Sequence, residues 1–399
     1  MSMATKHYDV AIVGGGAAGI TAAISAARKG NSVVICEKMP GIGKKLLISG
    51  SGRCNLYNEK LGESYYNPAA RPLVRSVLSR FGKEEIEDFF GDLGLKIYYE
   101  DGRAFPFTNQ SSSVLKVLEM ELKNLGTVTE LNFDAKGIAD SGADLIITSK
   151  DGKGVSCRSL VIAGGGKTYP ALGSDGGSYR LAERFGHTVL DPVPSAVPLV
   201  AKDKIIHLLQ GQKVSALARG VIGGSAVVEA DGEVLFTRYG LSGTAILDIS
   251  RNISIAMNRE RKREVSVSLD LVPFMSKEDL EKELDKRRRR DVVDEELLAG
   301  LLPNKFGRAL KDIISGEETG RAAGTLKDLR FRILGTRGWN EAEFTAGGID
   351  TREVIGSTLG SMMKKGLYFA GEVLDVDGVR GGYNLAWAWA SGFVAGLTE

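Results

Sequence analysis

The chain has 399 residues, of which 51 are Gly and 10 Pro; 43% are hydrophobic, and the formal charge is +2. That apolar fraction excludes a disordered chain, and glycine without a strict three-residue period or abundant proline excludes collagen. The near-neutral balance provides no global field toward nucleic acid or an anionic membrane, and Cys36, Cys54 and Cys157 are too few and too far apart for a disulfide framework or a zinc site.

In chain order, the opening MSMATKHYDVAIVGGG runs straight into a strand pattern, with no apolar signal core and cleavage site. No run reaches the roughly 18 consecutive apolar residues of a membrane span, so a soluble, cytoplasmic protein is expected. Tyr8 to Val13 reads as a buried strand, Ala17 to Lys29 as a helix stopped at Gly30, and Ser32 to Cys36 as a second strand covered on both faces. A turn-rich stretch spans Pro40 to Asn58, followed by amphipathic helices around Leu73–Arg80 and Lys83–Leu93. Leu145–Ser149 and Leu160–Ala163 are further strands. From about Pro192 short alternating segments predict antiparallel β structure with a hairpin turn at Asp231-Gly232. Ser276 to about Leu329 is helical and charged, and Gly366–Ala370 returns to strand, glycine loop and helix. The expected fold class is α/β: a doubly wound, Rossmann-like domain from both chain ends (1–191 and 341–399), with a β-rich insertion (192–275) and a helical subdomain (276–340).

Gly14-Gly15-Gly16-Ala17-Ala18-Gly19 fits G-x-G-x-x-G between the first strand and helix. The glycines allow a tight turn, approach of a pyrophosphate and close helix packing, while the helix N-terminus faces the phosphates. Glu37, at the end of the second strand, is placed for the ribose hydroxyls. A dinucleotide site is therefore expected. A second glycine-rich turn at Gly371–Asn384 leads into an apolar helix, and its N-terminus could stabilise a flavin edge that gains negative charge on reduction.

Several segments resemble the BaiN/RdsA-like FAD-dependent flavoproteins, a group also known as aminoacetone-oxidase-like. They include GKKLLISGSGRCN (43–55), GRAFPFTNQSSSVLKVL (102–118), LVIAGGGKTYPALGSDGGSYRLAERFGH (160–187) and GLYFAGEVLDVDGVRGGYNLAWAWASGFVAG (366–396). The resemblance implies a flavin domain with a β-barrel-like insertion and a small helical part. It implies that Gly14, Gly16, Ala18 and Gly19 hold the pyrophosphate, with Ala17 beside them in the motif, and that Glu37 and Lys38 meet the adenosine ribose. Lys45, Ser49, Gly50, Arg53, Cys54 and Asn55 fall in the loop expected beside the flavin. Ala163 and Gly164 fall in a second turn; Gly371, Glu372, Asp375, Gly382, Tyr383, Asn384 and Leu385 fall in a third. This chain has Ser51, Tyr57 and Gly164 where relatives often carry Gly, Thr and Thr.

The candidate catalytic groups are Tyr383, as a proton donor or a packing aromatic, and Arg53, as a charge near flavin or substrate or as a loop-pinning ion pair. Cys54 reads as a buried thiol, and His7, His187 and His207 as surface or structural residues. Trp387, Trp389 and Phe393 read as core, and the run Lys286–Arg290 as a solvated helical face. No metal site is expected. The expected function is an FAD-dependent oxidoreductase in which NADH or NADPH acts as a transient hydride donor and a small organic acceptor, such as a conjugated ketone, is reduced. The alternatives are an oxidase of a small amine such as aminoacetone, which makes peroxide, and a flavin-containing RNA-modifying protein. The expected partner is a small-molecule substrate, with no nucleic acid and no membrane.

Overall fold

A computed structural model describes residues 6–315 and 318–398. Met1–Thr5, part of the stretch read for a signal peptide, and residues 316 and 317 of the charged helical stretch lie outside the described residues. The described residues up to Pro192 and from Phe344 onward form one compact unit, and Val193–Glu343 form another.

The first unit opens with β1 (Lys6–Val13), α1 (Ala17–Arg28) and β2 (Val33–Glu37). Alanine-rich α1 buries ten of its twelve residues, and β2 is buried along its whole length, as a strand covered on both faces must be. Next come α2 (Lys44–Ile48), β3 (Tyr57–Asn58), α3 (Arg71–Leu78), α4 (Lys83–Asp92), the hairpin β4 (Ile97–Glu100) with β5 (Arg103–Pro106), and α5 (Ser111–Asn124). The strands β6 (Val128–Leu131), β7 (Ala135–Asp140), β8 (Leu145–Ser149) and β9 (Gly154–Ile162) then precede α6 (Gly177–Glu183) and β10 (Val189–Ser195). After the second unit the chain returns with β18 (Phe344–Ile349), β19 (Leu367–Phe369) and α12 (Tyr383–Gly396).

The main sheet runs β6-β2-β1-β9-β8-β7, and β19 also pairs with β9. Strand β9 is shared lengthwise. Its first half, Gly154–Cys157, pairs antiparallel with β8, and its second half, Leu160–Ile162, pairs parallel with β19. A segment more than 200 residues further along the chain thus slots in beside the C-terminal end of β9.

The loops of this unit are pinned by buried polar contacts. His187 has a fully buried side chain, with Nδ1 3.2 Å from Glu353 Oε2 and Nε2 2.6 Å from Ser361 Oγ. Ser361 Oγ also accepts the backbone N–H groups of Met363 and Lys364, so it ends a turn rather than facing a cleft. Burial lowers the His187 pKa below its ordinary 6.5, with Glu353 opposing the shift. The unfolded chain therefore takes up a proton at a higher pH than the fold does, and this contribution is present above about pH 6.5 and lost as pH falls. Urea unfolding from pH 7.5 to 5 should show stability falling toward acid, and His187→Gln should flatten that part of the curve.

The second unit contains β11 (Leu199–Val200), α7 (Lys204–Leu208), β12 (Lys213–Ile222), β13 (Ser225–Thr237), β14 (Gly240–Ser242), α8 (Thr244–Ser254) and β15 (Val265–Asp270). It continues with α9 (Lys277–Arg288), α10 (Lys305–Ile314), α11 (Thr319–Lys327), β16 (Leu329–Arg332) and β17 (Gly335–Thr336). Its sheet order is β16-β15-β12-β13-β14-β11-β17. The two end strands are neighbours in the chain, and the linking residues bond to both sides: Ile333 N–H to Val265 O and Leu334 N–H to Val200 O. The sheet must therefore curl almost to closure, like a barrel. Helices and sheet share one core, in which Phe236 meets Phe306 and Phe331 edge-on.

The hairpin predicted at Asp231-Gly232 lies elsewhere. Strand β13 runs straight through those residues, and the turn is Gly223-Gly224, between Ile222 and its partner Ser225. A two-residue hairpin of this hand needs positive φ at both positions, and Gly223 and Gly224 supply +57° and +84°.

Candidate active site

Four parallel strands, β2, β1, β9 and β19, lie side by side, and their registers align Cys36, Val13, Ile162 and Phe369 in one row. The next residues along each strand therefore emerge together at one sheet edge: Glu37-Lys38, the Gly14 turn, Ala163-Gly164 and Ala370-Gly371. In an open parallel sheet, ligands bind outside the carboxyl ends of the strands.

The Gly14 turn is tightly built. Gly14 has φ +105°, and a Cβ there would stand 2.6 Å from Ala163 O. In front of Gly16 there is open space, with nothing within 4 Å of the Cβ position. Gly16 caps α1 without a side-chain bond, so the first N–H groups of Ala17, Ala18 and Gly19 have no carbonyl within the helix to meet. The buried Glu37 carboxylate is fixed by the N–H groups of Gly15 and Met39, both at 2.7 Å. Lys38 Nζ reaches Asp175 at 2.7 Å in the segment after the second turn.

Lys45 and Glu372 tie the first region to the third turn through a 2.6 Å ion pair. Lys45 also donates to Thr168 Oγ1, and Glu372 Oε1 accepts the Thr345 N–H at 2.6 Å. Asp375 accepts the Gly347 N–H at 2.9 Å. Ser178 Oγ occupies the space where Gly164 would carry a side chain, which brings α6 onto the second turn.

The loop that follows α2 winds through left-handed conformations at Gly50, Ser51, Gly52 and Cys54. Ser51 has φ +57° and carries the cost of a side chain in that region. Ser49 Oγ bonds Leu46 O at 2.7 Å. Cys54 is fully buried, and burial pushes its thiol up to about 12, so it is held as an inert thiol. Arg53 turns to the β4–β5 hairpin. It donates to Tyr98 Oη at 2.6 Å, to Glu100 at 2.7 and 3.2 Å and to Asn109 at 3.0 Å, with its guanidinium 4.1 Å from the centre of the Phe105 ring. Asn55 Oδ1 is buried without a partner among the described residues, close to the backbone of Gly382.

Gly382 caps α12, again without a side-chain bond, which leaves a second helix N-terminus at this edge. Asn384 closes the preceding loop by bonding both the N–H and the C=O of Gly378 at 2.9 Å. Tyr383 is 4% exposed and stacks on Tyr65 at 4.5 Å. Burial raises its hydroxyl to about 12, helped by Tyr65, so the phenol stays protonated near neutrality. Leu385 packs against the core, as do Trp387 and Trp389, while Phe393 stacks on Phe81 at 4.0 Å.

Thr168, Asp175, Ser178 and Thr345 were missed in the sequence. Each acts on a residue distant in the chain, and no local spacing marks such a partner. Of the other candidates, His7 and His207 are exposed. Among the described residues no group of three or more His, Cys, Asp or Glu could hold a metal ion, and no helix is long and apolar enough to cross a membrane.

Two uncapped helix N-termini, a fixed carboxylate at the end of β2 and open space before Gly16 fit the phosphates and ribose of FAD. This fold and site define an FAD-dependent oxidoreductase on a Rossmann-type framework. The chain belongs to the family described as HI0933-like protein Rossmann domain, whose profile matches residues 8–398. It is 36% identical over 403 residues to a 3-dehydro-bile acid delta(4,6)-reductase of Clostridium scindens, covering 97% of this chain and 98% of that protein. It is 29% identical over 412 residues to a ribosomal RNA dihydrouridine synthase of Haemophilus influenzae, covering 99% of each. The fold also matches the crystal structure of a 3-ketosteroid-Δ4-(5α)-dehydrogenase from Rhodococcus jostii, with TM-score 0.52, 16% identity and coverage of 100% of this chain and 98% of that one.

Proposed function

We propose that the protein reduces a carbon–carbon double bond conjugated to a carbonyl in a small organic acceptor, with NADH or NADPH as a transient hydride donor. The observation that carries this reading is full-length similarity to a reductase named for such a substrate. FAD, when bound, supplies the hydride transfer.

The chain's own residues supply placement and charge. The N-termini of α1 and α12 favour negative charge, on the phosphates and on a flavin edge that becomes anionic, respectively. Glu37 and Lys38 hold the ribose end, and the Lys45–Glu372 pair keeps the first and third turns in register. Tyr383, protonated and beside the third turn, is the proposed proton donor to the acceptor. Arg53, with its fork filled by Glu100, Tyr98 and Asn109, is proposed to position the loop carrying Asn55 rather than to meet substrate.

A second reading follows from the relative named for dihydrouridine synthesis. The uracil double bond is also conjugated to a carbonyl, so the same hydride chemistry would serve an RNA acceptor. Anaerobic mixing with NADH and NADPH tests the donor, since a flavin bleached by neither removes the reductase reading. The reduced protein is then offered a 3-oxo-4-ene steroid acid or a uridine-containing RNA. Reoxidation by the first alone supports the primary proposal, and by the second alone the other. Bleaching by aminoacetone, with peroxide formed in air, would support the amine oxidase instead.

A further inference from the structure

The cationic run at the end of α9 divides into two groups with different tasks. Arg287 Nη1 donates to Leu297 O at 2.9 Å and Ala299 O at 2.7 Å, and Arg288 Nη2 to Ile314 O at 2.7 Å. These two side chains anchor the neighbouring segments by meeting carbonyls, including the last one of α10. The others point elsewhere. Lys282, Lys286, Arg289 and Arg290, with Asp285, line an open groove of about 400 Å³.

Lys282, Asp285 and Lys286 lie three and four residues apart on one face of α9, and Arg289 and Arg290 continue the groove in the turn that follows the helix. Among the described residues that line it, the one carboxylate, Asp285, already accepts Thr319 Oγ1 at 2.6 Å. The side chains of Arg289 and Arg290 have no partner among the described residues. Lys282 and Lys286 meet Asp279 and Glu283 only at 3.3 and 3.5 Å, and both lysines are more than half exposed, so water and salt screen those pairs. The leucines of α9, Leu280 and Leu284, are buried, which leaves the stripe no apolar side chain for a lipid surface.

We propose that this stripe is a docking surface for the phosphodiester backbone of an RNA strand. Two cations on the last turns of α9 and two in the turn that follows it suit successive phosphates, and contacts to phosphate carry no sequence information, so binding should be independent of sequence. The proposal departs from the solvated-face expectation for this run, because the structure separates the cations that bond backbone carbonyls from those held only in exposed ion pairs or with no partner among the described residues. It does not depend on which acceptor the flavin reduces.

The test is fluorescence anisotropy of a labelled single-stranded RNA of about 20 nucleotides with the FAD-loaded protein, in a salt series from about 50 to 200 mM. With four phosphate contacts, log affinity should fall against log salt with a slope of about −3. The quadruple variant K282Q/K286Q/R289Q/R290Q should bind at least tenfold more weakly at low salt and lose most of that slope. Its melting temperature and its rate of flavin reduction should match the wild type, which separates lost docking from misfolding and from failure of the reductase reading. Wild type that fails to bind RNA at low salt overturns the proposal, as does a variant that binds equally well. So does preferential binding of the wild type to vesicles containing phosphatidylserine, with RNA ignored.

Discussion

Gly14→Ala should yield a folded protein that purifies almost free of flavin. At φ +105° a side chain is strained, and the new methyl group would stand 2.6 Å from Ala163 O, on the neighbouring parallel strand. Relief requires the β1 and β9 turns to separate, and those turns frame the proposed phosphate site. Strain and displacement together cost roughly 3 kcal/mol, or about a hundredfold in FAD affinity. Titration of the apoprotein with FAD, followed by flavin fluorescence, measures it; an affinity within threefold of wild type would contradict this account of the turn. Gly16→Ala is the control. Open space surrounds that Cβ position, so the apoprotein should keep its stability, and any loss should appear only when FAD binds.

Trp389→Ala should be the most destabilising of these changes. The indole is fully buried, packs edge-on against Phe90 at 5.2 Å and donates Nε1–H to Leu56 O at 3.0 Å. Truncation leaves a large cavity and a buried carbonyl without its donor, costing roughly 4 kcal/mol. For a unit of this size that is about 8–16 °C in Tm. Leu56 follows Asn55 directly, so FAD affinity should fall as well. Trp389→Phe retains most of the packing and should lose only about 1–2 kcal/mol. Equal losses in the two variants would show that the hydrogen bond, and not the cavity, dominates.

Local signals and long-range ones were legible to different degrees. The β1–α1–β2 unit could be read from its own residues, because an apolar run, a glycine turn and an alanine-rich helix each declare themselves within a few positions. The same holds for Trp387 and Trp389 as core. The hairpin in the second unit could not be placed that way, since Asp231-Gly232 and Gly223-Gly224 carry similar turn chemistry. What separates them is the pairing of β12 with β13, including the irregularity at Gly220/Val221. Arg53 shows a related limit. Its sequence context allowed a substrate contact or a structural ion pair, and the choice of partners depends on a hairpin about 45 residues further on.

The Gly14–Gly19 motif and the glycine-rich turn at 371–384 were enough to propose where a dinucleotide lies, because close approach of backbone to phosphate is a requirement each turn meets alone. The joining of those turns into one site is a different matter. It required β19 to pair with the upper half of β9, Lys45 to meet Glu372 across 327 positions, and Lys38 to meet Asp175. Chain propensities act over a few residues, whereas these contacts are selected by burial and charge pairing once the sheet has formed. The glycines therefore mark the proposed cofactor turns, and the sheet register brings those turns together.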